Sequence, residues 1–449
     1  MNDMKRPVLA ADDRHRTFDE PRIVDHLLLY GWSRRAHPGA VEPQRADVCA
    51  ALERWIALGL PFAKRSDGVR CYDPAEVVDV MKWSGAQHAD PFWRERFIGN
   101  ARRLVEDWLP DRGDTGAPDV ARLGTRRFEI ALRREFNLQY LQPGSKPMLR
   151  LPLPIESETL QDLSIAYRAA TDPDVGFSVA PGRLDVRLTA TNRPGCSIEL
   201  DAAFNLSTRA RNDGAPLAPA DAELYTRATE GYVRLTPRVV ALAERLAGTR
   251  RETRDIVHAF WDFLIDELAS GFVDHASIDV ARPLDDVLDH GWFDCHLGSA
   301  LLVALCRARG IPARLLSGYL LYPENPSYHS WAEVWMQGRG WEPFDSFAAD
   351  LSAQGRDAAW RDCFFGKLDY RMPYECLPRI FQRSPGLRVP STWRLLARAV
   401  GVATQVGLYD AANGAPIYVD RIVVRASSPA GVEGTAFADE DSPFEDPVS

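Results

Sequence analysis

A thiol, an imidazole and a carboxylate follow one another as Cys295, His329 and Asp345 in the stretch GWFDCHLGSALLVALCRARGIPARLLSGYLLYPENPSYHSWAEVWMQGRGWEPFDS, residues 291–346. These are the parts of a nucleophile, a base and a group that orients the base. Together they make and break acyl bonds: the imidazole takes the thiol proton, the sulfur attacks a carbonyl carbon, and the carboxylate fixes the imidazole tautomer. Singly each has a plainer reading. A cysteine in an apolar helix usually packs, as Cys306 should, and an aspartate before serine usually makes a turn or cap. Their order, with each at the end of an element, favours chemistry.

The elements that must position them are legible. LGSALLVALCRARG is rich in helix formers and stops at Gly310 before Ile311-Pro312, so a helix begins near Cys295. The positive end of its dipole and its unpaired amides favour thiolate there, and the amide of Cys295 could hold an oxyanion. ARLLSGYLLY reads as a buried strand, PENPSY as a loop, HSWAEVWM as a strand, QGRG as a tight turn and WEPFD as its partner strand. Adjacent strands lie about 5 Å apart, so Asp345 can accept a hydrogen bond from one ring nitrogen of His329 and leave the other to Cys295. Glu333 shares a strand face with His329 and is a rival orienter, although a structural place in the cleft wall fits it better.

The block resembles the transglutaminase-like superfamily, a bacterial-type branch of papain-like thiol enzymes. The likeness rests on Cys295 opening the helix, on LCRARGIPARLLSGY (305–319), on His329 two residues before Trp331, and on Gly340-Trp341 four residues before Asp345. It implies that Cys295 is the nucleophile, His329 the base and Asp345 the orienter. Family members often carry Gly where this chain has Phe293 and an acidic residue where it has Leu297. A substrate rim of Trp292, Phe293, His296 and Trp331 is therefore expected, with the Trp292 indole the nearest candidate for a second oxyanion donor. The resemblance implies acyl transfer through a Cys295 thioester, forming or exchanging amide bonds on a peptide, protein or carrier-bound acyl substrate. An amine acceptor gives transfer and water gives a peptidase or amidase. The non-enzymatic alternative is a protein-binding module on the same scaffold.

Composition bounds these readings. The 449 residues are 45% hydrophobic and 26% charged, enough for two or three globular domains. A net charge of −9 gives no basic face for nucleic acid. The first residues hold no apolar run of secretory type and no stretch reaches a membrane span of about 18 apolar residues, so no membrane partner and a cytoplasmic location are expected. Seven scattered cysteines contain no Cys-x-x-Cys pair and no zinc spacing, which fits free thiols, no metal and no cofactor. The oligomeric state is not encoded in any pattern.

The expected fold is α+β: a papain-like, transglutaminase-like catalytic core preceded by an antiparallel β-domain and an N-terminal helical region. Residues 1–20 read as a loose N-terminus and 21–112 as helical, with apolar residues at three- and four-residue steps. Their tryptophans (Trp32, Trp55, Trp83, Trp93, Trp108) read as core. Past a Pro/Gly-rich linker, residues 121–208 alternate apolar and polar as antiparallel strands do, and include the RLPLP run Arg150–Pro154. The catalytic domain spans 225–425, including a hairpin with an Asn413-Gly414 turn, and 426–449 reads as a disordered acidic tail.

Overall fold

Two antiparallel sheets form the framework of the computed structural model, which describes most of residues 119–429 and parts of 18–80. Residues 1–17, 28–43, 81–118, 378–392 and 430–449 lie outside the described residues, as do shorter internal stretches.

The first sheet has four strands. β4 (Ala313–Leu320) and β5 (Ser327–Met336) form a hairpin, β6 (Gly340–Phe344) flanks β5, and β7 (Arg371–Leu377) flanks β4. The register opposes Gly318 to His329, Leu316 to Trp331 and Arg314 to Glu333. Against this sheet lies α5 (Cys295–Ala308), supported by α2 (Pro237–Ala247), α3 (Thr253–Glu267), α4 (Pro283–His290) and α6 (Ser346–Ala353). All of Leu297 to Arg307 is buried, which is why that helix reads as apolar all round rather than as a striped surface helix. It stops as expected: Gly310 takes φ +69° and its amide bonds back to Arg307.

Two glycines set close approaches. At Gly298 on α5, a side chain would collide with the Phe293 ring. At Gly318 it would strike the Met372 carbonyl and the Trp331 ring, where the β4–β7 register shifts. These are sites where a backbone must come near a neighbour, the usual reason for glycine within a strand.

The second sheet has six strands, in the order β8 (Trp393–Val400), β9 (Ala403–Asp410), β10 (Pro416–Pro429), β1 (Thr125–Asn137), β3 (Gly195–Ser207) and β2 (Leu160–Arg168). This corrects two sequence-based boundaries. The C-terminal hairpin, expected in the catalytic domain, extends the sheet begun by residues 125–137. The strand also runs to Pro429, so the expected start of the tail at 426 falls inside it. The physical reason is that β1, left unpaired on one side by β3, offers an open edge that β10 covers along its length. A smaller sheet pairs Met148–Pro152 with Arg183–Leu188 and Val175–Ala180, so much of the RLPLP run is a strand.

The two large sheets share a core. Phe128, Ile130 and Ile422 from one pack with Tyr319, Tyr370, Met372 and Tyr374 around the other. The expected N-terminal helical region is described only in part: α1 (Arg45–Ala57) buries Trp55, whereas Trp32, Trp83, Trp93 and Trp108 lie outside the described residues. Within the stretch expected to be loose, Phe18–Asp19 pairs with Arg70–Tyr72 as a short strand. No helix among the described residues is long and apolar enough to cross a membrane.

Candidate active site

Cys295 is the first residue of α5, and Asp294 before it is the N-cap, its carboxylate accepting from the Leu297 amide at 2.8 Å. Aspartate is a preferred N-cap, and this one holds the start of the helix at the thiol. His329 is the third residue of β5, not its first, and Asp345 directly follows β6 rather than ending it. His329 Nε2 and Asp345 Oδ2 lie 2.5 Å apart, and His329 is 4% and Asp345 0% exposed. The other Asp345 oxygen accepts from the Ala348 amide at 2.9 Å. Nδ1 is thus the ring nitrogen not engaged by Asp345. The thiol lies within reach of the backbone of Ser330, next to His329 in sequence, and within the electrostatic field of Asp345. Helix start and strand start therefore converge on one locus.

The electrostatics differ from the sequence expectation. Burial first, then the Asp294 charge, push the Cys295 thiol well above its ordinary range. Backbone amides of Ser330 and His296 pull the other way without prevailing. The helix terminus does favour thiolate, but its own capping carboxylate opposes that effect. Burial also works to raise Asp345, yet the charges of His329 and Arg371 hold its carboxyl well below the usual carboxylate range.

Arg371 was not singled out from the sequence. It reaches from β7 and donates through Nε and Nη2 to Asp345 Oδ2, at 3.1 and 2.8 Å, on the oxygen that also faces His329. It is 2% exposed, pairs with Asp369, and lies over the Phe364 ring at 5.2 Å. The available signal was a charge in the apolar strand YRMPY, because buried charges need partners.

Of the expected substrate rim, His296 stays half-buried, its Nδ1 3.4 Å from the Ser330 hydroxyl and its ring edge-on to Tyr232. Ser330 in turn bonds Ser317 at 2.9 Å, and Tyr328 donates to Ser317 at 3.3 Å. Phe293 and Trp331 are corrections. They are 0% and 1% exposed and belong to the core, where Phe293 fills the space over Gly298 and Trp331 that over Gly318. Their size holds the helix and sheet together rather than forming a rim. Trp292 pairs through its backbone with Ala269, and its side chain lies outside the described residues. Glu333 is not the orienter: it is buried and bound to Arg314 Nε at 2.8 Å. A cleft of about 590 Å³ beside that pair is lined by Tyr225, Arg314, Leu316 and Cys376 among others, and neither Cys295, His329 nor Asp345 lines it.

Comparison with known proteins bears on this arrangement. Residues 240–346 match the family model of the transglutaminase-like superfamily. The chain is similar to a solved structure described as a "putative cysteine protease" from Cytophaga hutchinsonii, with 18% identity over 57% of this chain and 82% of that one, at a TM-score of 0.41. It is also similar to the periplasmic domain of TgpA from Pseudomonas aeruginosa, with 17% identity over 55% of this chain and 96% of that one, at a TM-score of 0.31. No curated protein registers as a relative in sequence. The matched segment holds Cys295, His329 and Asp345 together with the α5 and β4–β6 frame that carries them, so the chain's similarity to the transglutaminase-like superfamily lies in this core.

Proposed function

We propose that this protein is a thiol-dependent acyltransferase that works through a Cys295 thioester and forms or exchanges amide bonds. The observation that carries the reading is the buried His329–Asp345 contact, 2.5 Å long, delivered by β5 and β6 to the helix terminus where Cys295 stands. In the first half-reaction His329 takes the proton from Sγ and sulfur bonds to the acyl carbon. The carbon–nitrogen bond of the donor breaks, and the amine leaves with the proton returned by His329. In the second, the acceptor gives a proton to His329 and its nitrogen or oxygen bonds to the acyl carbon. The carbon–sulfur bond then breaks, and the sulfur recovers its proton. Asp345 fixes the imidazole tautomer and supports its positive charge throughout.

The test is intact-mass spectrometry of wild type and Cys295→Ala after incubation with glutamine peptides and, separately, aminoacyl or acyl carrier-protein thioesters. An acyl adduct on wild type alone is expected, and the donor that loads it names the substrate class. Chasing the adduct with an amine or with water alone then separates transfer from hydrolysis. A chain that stays unloaded, with Cys295 alkylated by iodoacetamide no faster than exposed Cys49, is a binding module and not an enzyme.

A further inference from the structure

Asp345 Oδ2 serves three donors at once: Nε2 of His329 and two nitrogens of Arg371. Arg371 is itself shared, because its remaining nitrogen, Nη1, pairs with the buried Asp369 and bonds the Asp369 carbonyl at 3.2 Å. The array is a chain of alternating charge, imidazole to carboxylate to guanidinium to carboxylate, closed off from solvent. At such separations opposite charges act strongly on one another, because little water screens them. Charge given to Asp345 by Arg371 is charge Asp345 withholds from the imidazole, and charge given to Arg371 by Asp369 restores it.

We propose that Arg371 is a positioning residue of the Cys295–His329–Asp345 site, holding Asp345 in place while limiting the negative charge it presents to His329, with Asp369 as the counterweight. This rests on the thiol-enzyme reading above. Arg371 contacts the carboxylate and not the sulfur, so its effect on the thiolate–imidazolium pair falls mainly on the imidazolium end, where it is unfavourable. Among the described residues, the titratable and charged groups around the pair are Asp294 and His296 from the helix, Tyr328 from β5, Asp345 after β6, and Asp369 and Arg371 at β7.

The experiment is the rate of Cys295 alkylation by iodoacetamide against pH in the full-length protein, read by peptide mass mapping, so that no substrate need be known. Arg371→Met is expected to move the midpoint of the profile to lower pH by about one unit, the size of a lost charge neighbour. Arg371→Lys, which keeps the charge, should return it to the wild-type position. Asp369→Asn, which leaves Arg371 less neutralised, should move it to higher pH. A general loosening of the fold cannot produce opposite shifts. An unmoved midpoint in a folded Arg371→Met protein, or a shift of Asp369→Asn to lower pH, overturns the proposal. If Arg371→Met does not fold, the comparison of Asp369→Asn with wild type decides it alone: a higher midpoint supports the proposal, and an unmoved or lower one overturns it. A wild-type Cys295 no more reactive than Cys49 instead defeats the thiol-enzyme reading and the inference with it.

Discussion

Asp294 acts on the Cys295 thiol in two ways that can be separated. As N-cap it accepts the Leu297 amide, and as a carboxylate it opposes ionisation of Cys295. Asparagine caps about as well as aspartate but carries no charge. Asp294→Asn should therefore leave the melting temperature within a degree or two of wild type and raise the Cys295 alkylation rate at neutral pH about three- to tenfold, a shift of up to about one unit. An unchanged rate would mean that burial alone governs the thiol. Asp345 makes the complementary case. Its folded carboxyl titrates below the unfolded value of about 3.9, so the stability it contributes is present above about pH 4 and is lost as pH falls through the folded value. Asp345→Asn leaves the buried Arg371 without one of its two carboxylate partners, which should cost about 3–5 kcal/mol at pH 6. The difference in urea midpoint between wild type and variant should then shrink below about pH 4. A difference that stays constant with pH would show that shape, and not charge, is what Asp345 supplies.

At the scale of elements, the helix opened by Cys295 and the β4–β6 hairpins were legible because apolar periodicity, Gly310 and the QGRG turn all mark boundaries within short spans. Arg371 was not, because its partner is set by β7 returning to pair with β4, a long-range event with no local signature. Phe293 and Trp331 were misread for a related reason. Aromatics beside a nucleophile look like a pocket rim in sequence, and only the packing shows each ring over a glycine. Those two glycines differ in a testable way. The obstacle at Gly298 is a ring that a smaller side chain can replace, whereas at Gly318 it includes backbone. Gly298→Ala should cost about 1–3 kcal/mol as overpacking, and Phe293→Leu in the same chain should recover part of it. Gly318→Ala should cost more, and no substitution at Trp331 should rescue it, because the Met372 carbonyl remains in the way. Denaturant melts of the single and double variants check this, and additive losses at Gly298 and Phe293 would refute the coupling.

At the scale of the whole molecule, the question is whether the β-region beginning at residue 125 is a separate body or part of the unit that carries the candidate site. Asp420 on β10 bears on it directly. Buried at 2% exposure, it accepts from Arg134 on β1 at 2.5 and 2.6 Å and from the Tyr319 hydroxyl on β4 of the four-stranded sheet. Tyr319 is the neighbour of Gly318, opposes Tyr328 in register and meets its ring at 6.5 Å, and Tyr328 lies in the electrostatic field of Cys295. A strand near the C-terminus is thus tied through two tyrosines to the thiol, across a core that draws residues from both sheets. Two cysteines report on the two sides: Cys196 on β3 packs against that shared core, and Cys306 is buried on α5. If the sheets fold as one unit, both thiols become reactive at the same urea concentration in pulsed alkylation. Asp420→Asn leaves Arg134 and Tyr319 short of a charged partner and should lower both midpoints together, by the equivalent of about 3–5 kcal/mol. A fall at Cys196 alone would make the β-region an independent domain. A joint fall would make the C-terminal strands part of what holds the candidate triad in place, so that an isolated fragment covering only residues 240–346 would not assemble the site.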